Sequence, residues 1–353
     1  MSNDFQKTVI KFSNAFGPSG MEEEVQSIVK EHFTIETDTI QNTFVFLNEK
    51  EGLPTLLLDA HADEVGFMVQ SILENGRLSF LPIGGWDPSN IVSCPVKIKT
   101  KKGFVSGIVA SIPPHFMRED QKGRKIDFDD LVIDVGTSYK EESIALGIEP
   151  GDFIVPDVQC DYIPSLQVFK GKAFDCRIGC AALFETLKIL ENKELPVNVI
   201  GLFSAQEEVG ERGIECALQK IHPQLAICFE GCPSDDTFEA KDKIQSAMAK
   251  GVMLRAMDRS MITHPKWQRY ALEIAKKYDI PYQVAVRKGG GTNGGILHVH
   301  DIPTIVIGIP VRYAHASVGF CSEKDLEGAI ELACQIAMSL DRKALQALGV
   351  LPA

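Results

Sequence analysis

The sequence predicts an α/β chain whose main domain is interrupted by a smaller, β-rich one. Three observations lead there. Apolar runs that read as buried strands, such as residues 56–58 and 197–204, alternate with helical stripes. Between about Gln70 and Gln167 that alternation gives way to short β-like runs with turns at Glu74-Asn75-Gly76 and Lys101-Lys102-Gly103. At 353 residues the chain also exceeds the usual single core, so two domains are expected. Residues 1–69 and 168–353 are then the two parts of the main domain, and 70–167 the insert.

Residues 4–16 have helical periodicity and stop at Gly17-Pro18-Ser19-Gly20. In the next helix Ser19 and Glu22 have capping-box spacing ahead of an apolar face of Val25, Ile28, Val29 and Phe33. Alternation over 43–47 predicts a strand, and Leu56-Leu57-Leu58 a central one that delivers Asp59-Ala60-His61-Ala62-Asp63-Glu64-Val65-Gly66. Inside the insert, Ser138-Tyr139-Lys140-Glu141 again has capping-box spacing, with Gly147 as the stop. Past Asp175, Leu183, Leu187 and Leu190 mark a buried helical stripe. Further strands are expected at 197–204, 225–230, 282–286 and 304–309, and helices at 211–220, 264–277 and 322–340. The glycine-rich loop at 289–295 lacks the lysine of a phosphate-binding loop.

Composition narrows the function. A formal net charge of -12, with basic residues only in short clusters such as Lys99, Lys101 and Lys102, disfavours nucleic-acid and anionic-membrane partners. No segment has the apolar length of a membrane span, and Met1 to Lys7 has no basic region followed by an apolar one, so a cytoplasmic location is expected. Nine cysteines, an odd number, argue for reduced thiols. Cys176 with Cys180, and Cys228 with Cys232, have spacings that suit a structural zinc; Cys180 and Cys228 equally suit the role of small buried hydrophobes.

Chemistry-bearing residues sit beside strand ends and turns, where open α/β sheets bind ligands. Glu207 and Glu208 end the run over 197–204; the competing reading is an acid-rich helix start. His61 and Asp63, two apart, point to one face in extended backbone, either as a ligand with its orienting carboxylate or as a structural pair. Asp175 could bridge two cations or cap the following helix. Glu230 ends an apolar strand, where an acid needs a partner or water. His315 is a final imidazole or an ordinary loop histidine. Collected, His61, Asp175, Glu208, Glu230 and His315 supply two imidazoles and three carboxylates, which suits two divalent cations with Asp175 shared. Glu207 is left over as a general base.

These motifs, with Lys172-Ala173-Phe174-Asp175-Cys176-Arg177-Ile178-Gly179-Cys180, Gln206 to Gly213, the triple-glycine loop and Ile309 to His315, resemble the tetrahedral-shell (TET) aminopeptidases over essentially the whole chain. Ser111-Ile112-Pro113-Pro114-His115 resembles that family's inserted domain. The resemblance implies a mixed sheet flanked by helices, of the metal-dependent exopeptidase type, with an inserted small β-barrel-like domain. It implies two divalent ions (zinc, cobalt or manganese), one on His61, Asp175 and Glu230 and one on Asp175, Glu208 and His315. Glu207 would be the base, Asp63 would orient His61, short peptides would be the substrates, and dimers would build a dodecamer. Two positions depart from the family pattern. Glu230 stands where an aspartate is usual, and Thr292-Asn293-Gly294 where Thr-Asp-Ala is usual, which bears on how a charged substrate amine is held. They motivate a rival, hydrolysis of N-acyl or other amide-linked small molecules. A third reading is a metal-binding shell with zinc on Cys176, Cys180, Cys228 and Cys232.

Overall fold

A computed structural model describes residues 3–119 and 123–352; Met1 and Ser2, which open the stretch read for an export signal, lie outside them. The chain begins with α1 (Asn3–Asn14), α2 (Glu23–Lys30), β1 (Glu36–Thr37), β2 (Thr43–Leu47) and β3 (Thr55–His61). Next come β4 (Gly66–Ile72), β5 (Leu78–Ile83), β6 (Pro95–Thr100), β7 (Gly103–Ala110), β8 (Val132–Asp134), α3 (Lys140–Ala145) and β9 (Phe153–Pro156). The remainder is β10 (Asp161–Ile163), β11 (Val168–Gly171), α4 (Phe174–Leu190), β12 (Asn198–Ser204), α5 (Arg212–Ala217), β13 (Leu225–Pro233), β14 (Val252–Met257), α6 (Pro265–Lys277), β15 (Tyr282–Val286), α7 (Asn293–Val299), β16 (Thr304–Arg312), β17 (Gly319–Ser322), α8 (Glu323–Ser339) and α9 (Arg342–Leu348). Among the described residues no helix is long and apolar enough to cross a membrane.

β12, β3, β13 and β16 lie side by side and parallel at the centre of a mixed sheet. They read as continuous apolar runs because helices cover both faces. The two-residue period of a strand splits them: Leu56 and Leu58 face a core shared with α1, α2, α4, α6 and α8, while Leu57 faces a smaller core with α5 and α7. All four central strands point the same way, so their carboxyl ends open on one edge. β4 to β9 close into a separate six-strand antiparallel barrel around Phe67, Val96, Ile98 and Ile154. The barrel strands run from Gly66 to Pro156, and β10 returns to the main sheet by pairing with β11. Closure hides strand edges that an open sheet would expose.

Two local expectations are corrected. α2 starts at Glu23, and Ser19 does not cap it: the Ser19 hydroxyl donates to Asp63, and Glu22 accepts the N–H of Gly20. In the barrel, α3 is closed by Glu142 rather than Glu141, its carboxylate accepting the N–H of Ser138 and Tyr139.

Candidate metal centre

His61 is the last residue of β3, in register with Ser204 at the end of β12, and Glu230 lies in β13 opposite Gly308 of β16. Glu207 and Glu208 occupy the turn between β12 and α5, not a helix start, with Gly210 and Glu211 donating N–H to the Glu207 carbonyl. Asp175 sits at the entry of α4 in a non-helical conformation (φ -87°, ψ 106°), but the cap position is Ala173 and the Asp175 oxygens face His61 and His315, so it is no N-cap. β13 packs directly on this entry. A Cβ at Gly231 would lie 2.2 Å from the Phe174 carbonyl oxygen, which explains the bare glycine and brings Glu230 beside Asp175. His315 follows β16 in a turn. All six side chains line one cavity of about 580 Å³.

The two oxygens of Asp175 face different imidazoles. Oδ1 lies 3.2 Å from His61 Nε2, and Oδ2 lies 3.2 Å from His315 Nε2. Glu230 Oε2 stands 3.8 Å from His61 Nε2, and Glu208 Oε1 stands 3.5 Å from His315 Nε2. Ligands about 2.0–2.2 Å from one tetrahedral ion are separated by roughly 3.3–3.6 Å, so both clusters have the spacing of a metal set. The Oε1 of Glu208 is buried and has no hydrogen-bond partner, although it points into one cluster. The donors therefore fit divalent cations.

Each imidazole is oriented from behind. His315 Nδ1 donates to the Gly85 carbonyl at 2.7 Å, which leaves Nε2 for the cavity. Gly85 lies between β5 and β6, so the barrel supplies this support. His61 Nδ1 lies 3.4 Å from Asp63 Oδ1. Asp63, fully buried, also accepts the Ser19 hydroxyl at 2.6 Å and the N–H groups of Glu207 at 3.0 Å and Glu208 at 3.1 Å. One carboxylate thus holds the amides of both glutamates and stands within ion-pair reach of the histidine.

The electrostatics have the same logic. Burial pushes Glu230 up to about 8 and Glu208 up to about 7, only partly relieved by His61 and His315 respectively. Burial likewise holds Glu207 well above the ordinary carboxylate range, with His61 opposing and Glu230 and Glu208 reinforcing. Burial acts on Asp175 too, but hydrogen bonds with His315 and His61 keep it below the normal range. Four largely buried acids lining one pocket are costly until cations share it.

Residues 41–332 match the M42 glutamyl aminopeptidase family. The chain belongs to that family. The lysyl aminopeptidase of Pyrococcus furiosus is 32% identical over 302 residues, covering 82% of this chain and 83% of that protein. Among solved structures, a TET aminopeptidase from Thaumarchaeota archaeon SCGC AB-539-E09 superposes with a TM-score of 0.94 at 34% identity, over 98% of this chain and 100% of that one. The Pyrococcus horikoshii TET1 peptidase, which can assemble into a tetrahedron or a large octahedral shell, superposes with a TM-score of 0.85 at 31% identity, over 95% of this chain and 100% of that one. Like the rest of the M42 family, this chain is a metal-dependent aminopeptidase, and its fold is theirs: a helix-flanked mixed sheet with a closed barrel.

The seven residues expected from the sequence gather here, with Asp63 behind His61 rather than in the cavity. Asn293 behaves otherwise than expected. It is buried, and its amide donates to Asp59 Oδ2 at 2.8 Å and to Ser204 Oγ at 2.7 Å, so it is turned away from the cavity wall. An aspartate there would set a second carboxylate against Asp59. The four-cysteine zinc reading fails on geometry. Cys180 donates to the His61 carbonyl, Cys232 accepts from Arg255, and among the described residues only Cys176 belongs to a group that could hold a metal. Sequence reasoning gave Ser19 a capping role instead, passed over Gly85, and assigned no role to the buried Lys172, whose ammonium bonds both oxygens of Glu64 at 2.6 and 2.7 Å and locks the strand end carrying His61 to the entry of α4. Such pairs, 44 to 230 residues apart, carry no local signal.

Proposed function

We propose that this metal-dependent aminopeptidase works with two divalent ions, zinc, cobalt or manganese. His61, Asp175 and Glu230 would hold one and Asp175, Glu208 and His315 the other. The observation that carries this reading is the division of the Asp175 carboxylate between the two imidazoles. When bound, such ions lower the pKa of water and polarise a carbonyl as Lewis acids. Glu207 lines the same cavity with its Oε2 3.9 Å from His61 Nε2, and as the acid left over from the two proposed sets its carboxylate takes the proton from the attacking water and returns it to the leaving amine. Asp63 fixes the ring of His61 and the amides of both glutamates, which holds base and ligands in one geometry.

The substrates in this reading are short peptides, cleaved after the first residue. Exposed Lys288 on the cavity wall, beside Arg287 that is paired with Asp235, favours an acidic side chain there. Assembly of dimers into a dodecamer is supported by the likeness to shell-forming peptidases, and a cytoplasmic setting by nine free cysteines. The N-acyl alternative drew on Glu230 and Asn293, and Asn293 does not reach the cavity. A panel of free and N-blocked aminoacyl substrates, with protein loaded with each metal, tests the proposal. Turnover confined to free amines, with two ions per subunit, is expected. Turnover confined to blocked amines would replace it.

A further inference from the structure

Cys176 directly follows the shared carboxylate Asp175. Its thiol is fully buried, and burial with Glu230 nearby holds it well above the ordinary thiol range. Its surroundings are not those of an inert core cysteine. Sγ, a ring nitrogen of His61, and carboxylate oxygens of Asp175 and Glu230 all lie within 4.8 Å of one another. The thiol, a weak donor, gives a hydrogen bond to the Phe229 carbonyl at 3.2 Å. On the other side, a Cβ at Gly179 would lie 2.3 Å from Sγ, so the helix leaves a slot for sulfur that any larger residue at 179 would fill.

Resting on the two-ion reading above, we propose that Cys176 is a fourth ligand in the half of the centre built from His61, Asp175 and Glu230. On binding, one sulfur–metal bond forms, the S–H bond breaks, the proton passes to solvent, and the contact with Phe229 is given up. The other half, on Asp175, Glu208 and His315, has no thiol within its group. The two halves therefore differ in softness. A thiolate with an imidazole selects zinc or cobalt, whereas the carboxylate-rich half also accepts manganese. Cys180, one turn further along α4, donates to the His61 backbone and belongs to no such group, which makes it an internal control.

The test uses the full chain loaded with cobalt alone, with cobalt per subunit measured alongside the spectrum. Near-ultraviolet thiolate-to-cobalt absorption is expected in wild type and in Cys180→Ser, and is lost in Cys176→Ser. The same variant should bind zinc at least tenfold more weakly while holding manganese as before. X-ray absorption of the zinc-loaded wild type should add a sulfur neighbour at about 2.3 Å, a reading that depends on no variant. Cobalt bound without thiolate absorption, or absorption that survives in Cys176→Ser, overturns the thiol ligand and leaves the two-ion reading standing. Failure of the wild type to take up cobalt, or uptake undiminished in His61→Ala, overturns the two-ion reading itself.

Discussion

At the scale of single residues, the site is a set of side chains whose placement depends on what stands behind them. Glu207 is the sharpest case. Glu207→Gln keeps the shape and removes the proton acceptor, so turnover should fall by about 10²–10⁴-fold. Metal content should be unchanged; wild-type turnover with both ions bound would remove Glu207 from proton transfer. Asp63→Asn tests the orienting role differently, through affinity: second-layer losses weaken metal binding by about 10–100-fold. That is readable as the free-zinc concentration at half occupancy. Asn293 supplies a stability test. In Asn293→Asp the amide bonds to Asp59 and Ser204 become a clash of buried carboxylates. The expected cost is about 3 kcal/mol in urea unfolding. Adding Asp59→Asn should return most of it, and strict additivity of the two changes would mean they do not interact. The proposed ligands were legible in the sequence because each follows an apolar run or sits in a turn. Asn293 was misread because nothing local says that its partner is a strand residue 234 positions away.

Elements show the same division. The central strands and long helices could be read from periodicity, since each buries one or two faces against a large core. α7 could not, because its first turn is Asn293-Gly294-Gly295 and glycine reads as loop. β14 was missed for want of a clean alternation; the barrel was expected from the family resemblance, and its three-residue β8 carries no pattern of its own. Element packing also makes a pH prediction. Asp325, in the first turn of α8, accepts N–H from Ala249 and Gly251 and so ties the approach to β14 onto that helix. Burial raises its pKa to about 6, only partly offset by those two amides. In the unfolded chain an aspartate titrates near 4, so between about 4 and 6 the folded chain binds more protons than the unfolded one. The contribution of Asp325 is therefore greatest at low pH and falls as pH rises through that window. Asp325→Asn removes the slope. Unfolding free energy of wild type relative to the variant should drop by about 2 kcal/mol from about pH 4 to about pH 7. Parallel curves would mean that Asp325 has the same pKa folded and unfolded.

For the whole molecule, the decisive fact is that one chain supplies every residue of the proposed centre. β3, β12, β13 and β16, with the entry of α4 that carries Asp175, bring them to one sheet edge, and the barrel of the same chain steadies His315 through Gly85. A subunit released from a shell would carry a complete site, with the shell governing only which substrates arrive. Mild dissociation of the proposed dodecamer, followed by light scattering and assay on the same sample, separates chemistry from access. Turnover of a single aminoacyl amide per subunit should stay within about twofold, because the barrier lies in the site and not in the assembly. Cleavage of long unfolded chains should rise once the enclosure opens. If activity on the small substrate vanished with dissociation, a neighbouring subunit would have to complete the site, and the geometry of His61, Asp175 and His315 alone would not explain the chemistry.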